Sequence, residues 1–329
     1  MAILKKIYPI LLLPLLSSCE EVLTPDMPHT PVLCVSSLVS AGDPIEVSVS
    51  KSRLYTDPAD RSEVKDAVVN IYANGQLQLD SYMPKEGDEI RIVTQSGALG
   101  TANAEVAVPY AVSIKNVEWK ATDISIWNAE SAGYYDIRFK LNVLLTIDDP
   151  AGDNYYKFSS HVVSTDNEDN DDILNGSHRP YGLLISDLQY DLEPIFSEHI
   201  GIFESVMGGD ANGFTFFTDR QFAGKSYTLH LQYNNCGFQG TLEDMPDCEF
   251  ALILNTISSS YYNWVNYVWQ RDNGTLTELS DYGFGDPIWG YSNCTSGAGV
   301  VAAQSTSEYT IDFTDFIKTT INEKRITEK

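Results

Sequence analysis

Every second residue from Ile137 to Ile147 is apolar, and most of the side chains between them are polar. The apolar members are Ile137, Phe139, Leu141, Val143, Leu145 and Ile147, and the polar ones include Arg138, Lys140, Asn142 and Thr146. Successive side chains of a β-strand point to opposite faces, so this period of two predicts a strand with one face in a core. The pattern predicts an eleven-residue strand at the centre of a β-rich domain, ended by the turn-forming residues 148–154.

Shorter alternating segments precede this strand. Ile45, Val47 and Val49 alternate with polar residues, and a later apolar segment runs into Asn74-Gly75, a strong signal for a tight hairpin turn. Short strands separated by Gly, Asn, Asp and Pro predict an immunoglobulin-like β-sandwich over residues 31–112. Residues 113–329 are then expected to form a larger β-rich domain, which makes the predicted fold class all-β.

One amphipathic helix is predicted in the larger domain. After Ser258 and Ser259, which are good helix N-caps, apolar side chains recur at helical spacing: Tyr261, Trp264, Val265, Val268 and Trp269. Such an aromatic stripe usually packs in a core, and the alternative is a platform that faces a ligand. The segment from Phe313 to Thr327 is expected to be a last strand and a polar tail.

The first nineteen residues resemble the leader of a bacterial lipoprotein. Lys5 and Lys6 precede an apolar stretch, residues 7–16, which is too short to span a bilayer. Ser17 and Ser18 then lead to Cys19, so we expect a signal peptide over residues 1–18 and lipidation of Cys19. An ordinary secretion signal followed by a chance cysteine is the alternative.

An acidic tether is predicted over residues 19–30, where Glu20, Glu21 and Asp26 are interleaved with prolines. Acidic residues directly after a lipidated cysteine resemble a signal for export to the outer face of the outer membrane, and a plain linker is the alternative. The formal net charge of −25 opposes binding to nucleic acids and to anionic membrane surfaces. The lipid itself is therefore expected to hold the chain at the membrane.

With Cys19 acylated, four cysteines remain in an oxidising compartment. Cys236 and Cys248 lie close together across a turn-rich segment, and we expect them to form a disulfide. Cys34 and Cys294 would form the second pair, and four free buried thiols are the alternative. Cys294 is also a candidate nucleophile, although a disulfide is the expected use of a cysteine in such a compartment.

The motifs tested for chemistry predict neither an enzyme nor a cofactor. Residues 166–172 are rich in carboxylate and amide oxygens but lack the spacing of a calcium loop, so calcium is a weak alternative to a solvated loop. Gly224-Lys225-Ser226 lacks the upstream glycine of a phosphate loop, and the sequence contains neither G-x-S-x-G nor H-E-x-x-H. A pair of carboxylates suited to glycoside hydrolysis remains open, because the chain offers 46 acidic residues.

Several short motifs, in order along the chain, resemble a family of Bacteroidota outer-membrane lipoproteins known only as domain of unknown function 4249. They are Cys19-Glu20-Glu21, Val106-Ala107-Val108-Pro109, Leu145-Thr146-Ile147-Asp148-Asp149-Pro150 with Asn154-Tyr155-Tyr156, Phe217-Thr218-Asp219 with Phe222-Ala223-Gly224-Lys225, Tyr261-Tyr262, and Asp286-Pro287-Ile288-Trp289-Gly290-Tyr291-Ser292-Asn293 with Gly297-Ala298-Gly299. The two last glycines are expected to bring the backbone close to a neighbour or to turn it sharply. The resemblance implies no known catalytic residues, and it implies a surface lipoprotein that works beside a TonB-dependent transporter in nutrient uptake.

The sequence therefore predicts a non-catalytic, lipid-anchored protein of the outer membrane that faces the cell exterior. Its expected partners are the membrane, a TonB-dependent transporter and a peptide or glycan ligand. Trp289 and Tyr291 are the candidate ligand-binding residues, with core packing as the alternative. A fimbrial subunit is one rival, with Arg53 or Arg61 as a cleavage site, and a glycan-active hydrolase is the other.

Overall fold

The computed structural model describes residues 30–53, 64–79, 81–129, 133–163, 182–197, 215–273 and 290–327. Most of this part of the chain is in strands, and it contains two α-helices, so the predicted all-β class is confirmed. In chain order the strands are β1 (Leu33–Ser40), β2 (Ser48–Lys51), β3 (Val68–Ala73), β4 (Gln76–Leu77), β5 (Glu89–Ser96), β6 (Gly100–Ala107), β7 (Ile114–Ala129), β8 (Tyr134–Asp148), β9 (Tyr155–Val163), β10 (Gly182–Leu188), β11 (Phe216–Thr218), β12 (Ser226–Thr241), β13 (Glu249–Ile257) and β14 (Ala298–Asp312). The helices are α1 (Ser259–Asn273) and α2 (Thr314–Thr327).

The strands form three sheets. A six-stranded central sheet has the order β11-β9-β13-β14-β1-β2, a long sheet has the order β10-β12-β8-β7, and a small sheet has the order β4-β3-β5-β6. Within the central sheet, alternate residues of β14 face opposite sides: Val301 and Ala303 meet the small sheet's core, whereas Val300 and Ala302 meet α1. The long and small sheets therefore cover one face of the central sheet, and α1 covers part of the other.

Strand β8 confirms the prediction made from its alternation. The six apolar residues from Ile137 to Ile147 are all nearly or fully buried, and the polar residues between them lie outside the core. Strands β7 and β12 pair with β8 on its two sides, so β8 lies in the interior of the long sheet. Its buried face packs on aromatic residues of the central sheet, which include Tyr156, Phe158 and Phe217.

The first and last strands of the chain lie side by side. Strand β1 pairs in parallel with β14, from Cys34 opposite Ala298 to Ser40 opposite Gln304. The core beneath the small sheet therefore contains Val301 and Ala303 together with residues of β1, β5 and β6. The predicted division of the chain at residue 112 stays a prediction, and the core beneath the small sheet includes a strand from the other end of the sequence.

Two glycines make the approach of β14 to β1 possible. Gly299 has a φ of +118°, and a Cβ atom placed on it would overlap the carbonyl oxygen of Val35. A Cβ atom on Gly297 would lie 2.7 Å from the carbonyl oxygen of Leu33 and 2.5 Å from the Cβ of Ala102. Both positions require glycine because neighbouring backbone occupies the space of a side chain, as the sequence predicted.

The hairpin at Asn74-Gly75 also forms as predicted, with φ of 51° and 79° at the two residues. Asn74 donates a 2.7 Å hydrogen bond to the buried carboxylate of Asp88, which also accepts from the Tyr82 hydroxyl and the Lys85 amide. Burial acts to raise the pKa of Asp88, but these hydrogen bonds outweigh it and hold the pKa below its usual value. The carboxylate thus joins the β3–β4 turn to the segment that leads into β5.

Helix α1 confirms the helix predicted after Ser258. The Ser258 hydroxyl accepts a 3.3 Å hydrogen bond from the Tyr261 amide, as an N-cap does, and it also accepts from the Ala303 amide of β14. The prediction of a last strand and polar tail after Phe313 is wrong, because residues 314–327 form α2. Phe313, Ile317 and Ile321 are buried at helical spacing against the core of the long sheet, where the Phe313 ring lies 4.7 Å from that of Trp119.

Several predictions fall on residues that the structure does not describe. The signal peptide over residues 1–18, Cys19, most of the acidic tether, the acidic run 166–172, and Trp289 all lie outside the described residues. Among the described residues, no helix is long and apolar enough to span a membrane.

Candidate functional site

A groove of about 690 Å³ lies on the face of the central sheet that α1 leaves partly uncovered. We call it the aromatic groove, because three aromatic side chains border it. Its lining residues come from β1, the segment that leads into β2, α1, the loop before β14, and β14 itself. They are Ser36, Ser37, Leu38, Glu46, Val47, Ser48, Tyr261, Trp264, Tyr291, Gly299, Val300 and Ala302.

The floor of the groove follows from the alternation of β1 and β14. Leu33, Val35 and Val39 of β1 point into the core beneath the small sheet, so Ser36 and Leu38 point to the opposite face. Leu38 is 41% exposed there, which is unusual for a large apolar residue in an internal strand of a sheet. Leu38 was not among the residues predicted for a site, although its outward position in an alternating strand was the available signal.

One wall of the groove is the N-terminal half of α1. Tyr261 is buried and packs edge-on against Phe216 at 5.6 Å, and burial raises the pKa of its hydroxyl, which stays protonated at neutral pH. Trp264, one turn later, has its ring 6.3 Å from that of Tyr261 and is 40% exposed. Tyr261 and Trp269 are buried, as core packing predicts, whereas Trp264 lines the groove, and a ligand-facing role for its ring stays a prediction.

The loop before β14 places Tyr291 beside the groove, and Asn293 holds this loop to β14. The Asn293 side chain donates a 2.8 Å hydrogen bond to the carbonyl oxygen of Val301 and accepts a 2.9 Å bond from the Val301 amide. The Asn293 side chain thus makes with the Val301 backbone the two hydrogen bonds that a neighbouring strand would otherwise make. Tyr291 therefore lines the groove, its role as a ligand-binding residue stays a prediction, and Trp289 is outside the described residues.

A second cavity of about 420 Å³ also has Tyr291 in its lining. It is bordered by the end of β6, the turn before β9, the N-terminus of α1 and the loop that carries Asn293. Tyr291 lines both cavities, so an elongated ligand could lie across its ring. The charged residues that line the two cavities are all acidic: Glu46 in the first, and Glu105 and Asp153 in the second.

The four cysteines in the described part of the chain are free thiols, so neither predicted disulfide is present in this structure. Cys236 and Cys248 are buried, and their thiols point to the carbonyl oxygens of Tyr233 and Pro246 respectively. Cys294 lies with its sulfur 4.0 Å from the Val35 carbonyl oxygen, next to Cys34 along β1. Both pairings stay predictions.

The thiol pKa values argue against a cysteine nucleophile. Burial raises the pKa of both Cys236 and Cys248 to about 11. Burial also raises the pKa of Cys294, and the neighbouring Cys34 adds to the effect. A thiol with a raised pKa is protonated at neutral pH and reacts poorly, because the thiolate is the reactive form.

Two buried carboxylates have a structural role. Asp149 accepts hydrogen bonds from the Tyr156 hydroxyl and the Gly224 amide, and Asp219 accepts a 3.0 Å bond from the Asn154 amide. Burial, and then the nearby Asp219, raises the pKa of Asp149 despite its hydrogen bonds. These residues belong to two of the motifs quoted for the family resemblance, and their hydrogen bonds join the turn before β9 to the turn before β12. In the described ranges, no group of three or more His, Cys, Asp or Glu is placed to hold a metal ion.

Comparisons with known proteins add no relative. A scan against models of known protein families finds no match to the chain. A search of curated proteins also finds no match. The resemblance to the outer-membrane lipoprotein family therefore stays a prediction.

Proposed function

We propose that this chain is a non-catalytic, lipid-anchored binding protein at the exterior of the outer membrane, and that it serves as an accessory of a TonB-dependent transporter in nutrient uptake. The observation that supports a binding role is the aromatic groove. Tyr261, Trp264 and Tyr291 converge on an open concave surface, and aromatic residues with a few polar groups are the usual lining of a ligand site. The observation that supports anchoring is the lipoprotein leader that ends at Cys19.

The anchor would act by raising the local concentration of ligand at the transporter. Sixteen residues lie between Cys19 and Ser36 on the groove floor. A fully extended chain of that length spans about 60 Å, so the groove stays within that distance of the membrane surface. Ligand captured there has a high effective concentration for a pore in the same membrane.

A membrane-capture experiment tests this proposal. The full chain with a C-terminal affinity tag would be expressed in its native membrane, cross-linked and purified, and the captured proteins identified by mass spectrometry. We expect a TonB-dependent transporter with the native chain, and we expect both membrane attachment and transporter capture to be lost in Cys19→Ser. Capture of no transporter, or attachment that survives Cys19→Ser, would contradict the proposal.

A further inference from the structure

We propose that the aromatic groove binds an extended basic peptide, with a lysine or arginine side chain placed between the aromatic rings and Glu46. This inference rests on the proposed binding role and names the class of ligand. It follows from the charge, the aromatic lining and the shape of the two cavities that meet at Tyr291.

The charge of the lining favours a cationic ligand. Glu46, Glu105 and Asp153 are exposed, and the described lining of the two cavities includes no lysine or arginine. Glu105 has a distant partner in Arg91, at 3.9 Å, whereas neither Glu46 nor Asp153 takes part in an ion pair among the described residues. The chain as a whole carries a net charge of −25, which raises the local concentration of cations further.

The aromatic rings favour a cation that sits on an apolar stem. Lysine and arginine heads bind over the faces of Trp and Tyr, and Trp264 has the exposed ring that such a contact needs. Elsewhere the protein uses this contact internally, with Arg91 over Tyr72 at 4.4 Å and Lys157 over Phe216 at 5.7 Å. Lys157 lines neither cavity, and its ammonium group lies over Phe216 rather than over an aromatic ring that lines the groove. Phe216 in turn packs against Tyr261.

The shape favours an extended chain. The cavities of about 690 Å³ and 420 Å³ share Tyr291 in their lining, and each is of the size that holds a small ligand. The exposed hydroxyls of Ser36 and Ser48 border the floor, where they can pair with peptide groups of a bound chain. Glu46 in one cavity and Asp153 in the other would each accept a basic side chain of a ligand that passes Tyr291.

Binding of matched probes to the full chain in detergent tests this inference. The probes are a synthetic hexapeptide of alternating leucine and lysine, the same peptide with glutamate in place of lysine, and a neutral glucose hexasaccharide, each measured by calorimetry. We expect the lysine peptide to bind, its affinity to fall as salt is raised, and the glutamate peptide and the hexasaccharide to bind at least tenfold more weakly.

Two variants place the binding in the groove. Glu46→Gln is expected to weaken the lysine peptide about fivefold and to reduce the salt dependence. Trp264→Ala is expected to weaken it by about tenfold. The matched controls are Glu86→Gln and Trp127→Ala, which remove an exposed glutamate and an exposed tryptophan outside the groove and should leave the affinity unchanged.

The proposal of a basic peptide ligand is supported by the binding pattern expected above. It is overturned by tighter binding of the hexasaccharide than of the lysine peptide, by no binding of the lysine peptide, or by equal losses in the groove variants and their controls. Glu46 is an exposed side chain, so Glu46→Gln remains informative even if Trp264→Ala fails to fold. Capture of the transporter does not depend on this peptide, so the proposed function can survive when this inference fails.

Discussion

Gly299 offers a quantitative test of the pairing between β1 and β14. The substitution Gly299→Ala adds a Cβ atom that overlaps the Val35 carbonyl oxygen and lies 2.8 Å from the Val35 nitrogen. It also places an L-residue at a φ of +118°. The obstacle is backbone rather than a flexible side chain, so β14 can accommodate the methyl group only by moving away from β1.

Substitutions at two other glycines separate the two contributions to the loss of stability that we expect for Gly299→Ala. Gly42 has a φ of +88° and nothing within 4 Å of its Cβ position, so Gly42→Ala measures the conformational term alone, about 1–2 kcal/mol. Gly297 has no positive φ but a crowded Cβ position, so Gly297→Ala measures overpacking alone, about 1–3 kcal/mol. Gly299→Ala combines the two terms and should reduce the free energy of unfolding by about 2–5 kcal/mol.

Urea unfolding followed by far-UV circular dichroism measures all three variants against the native chain. We expect the urea midpoint of unfolding to be lowered least by Gly42→Ala and Gly297→Ala and most by Gly299→Ala. The slope of the unfolding free energy against urea concentration should be unchanged. A loss for Gly299→Ala within about 0.5 kcal/mol of the loss for Gly42→Ala would show that no close approach exists at this position, and the register of β1 against β14 would then be wrong.

Three further predictions concern polar contacts. Asp88→Asn should lower the free energy of unfolding by about 1–3 kcal/mol at neutral pH, and the deficit should narrow as the pH falls through the lowered pKa of Asp88, as measured by urea unfolding across a pH series. Asp149→Asn should show the opposite slope in the same series, because the raised pKa of Asp149 makes its ionisation oppose folding; its stability relative to the native chain should therefore rise as the pH increases from the ordinary pKa of an aspartate through the raised pKa of Asp149, and a flat difference would contradict the raised pKa. Asn293→Ala should lower the thermal midpoint through the loss of two hydrogen bonds to Val301, worth about 1–3 kcal/mol, and should weaken the lysine peptide because the loop that carries Tyr291 is released; unchanged affinity in calorimetry would separate this loop from binding.

Local patterns predicted local structure well. The alternation from Ile137 to Ile147, the Asn74-Gly75 turn and the helix after Ser258 each depend on backbone geometry and on neighbours within a few residues. Each is present where the sequence placed it. The same period-two pattern also determined which face of β8 is buried.

Helix α2 was missed although its signal was present. Phe313, Ile317 and Ile321 recur every four residues, and Asp315 lies in the first turn, where a negative charge stabilises a helix. Packing of this apolar face against Trp119 and its neighbours stabilises the helical conformation.

The candidate site was only partly predictable, because it is assembled from distant parts of the chain. Tyr291 and the aromatic residues of α1 were selected from their composition and spacing. The floor at Ser36 and Leu38 becomes part of a site only when β1 lies beside β14, and no local pattern reports a partner that far along the sequence. The position of Glu46 in the lining could not be predicted for the same reason, and nothing in the sequence distinguishes it from the chain's other carboxylates.

The parallel pairing of β1 and β14 also determines when this protein can fold. Cys34 and its partner Ala298 are separated by most of the chain, so closing that loop is slow and entropically unfavourable compared with forming the β7–β8 hairpin. Until β14 is available, β1 lacks its neighbour, and the core that Leu33 and Val35 share with Val301 is incomplete. A chain that crosses a membrane from its N-terminus would therefore remain open along this edge until β14 had emerged, and its earliest strand would be among the last to be covered.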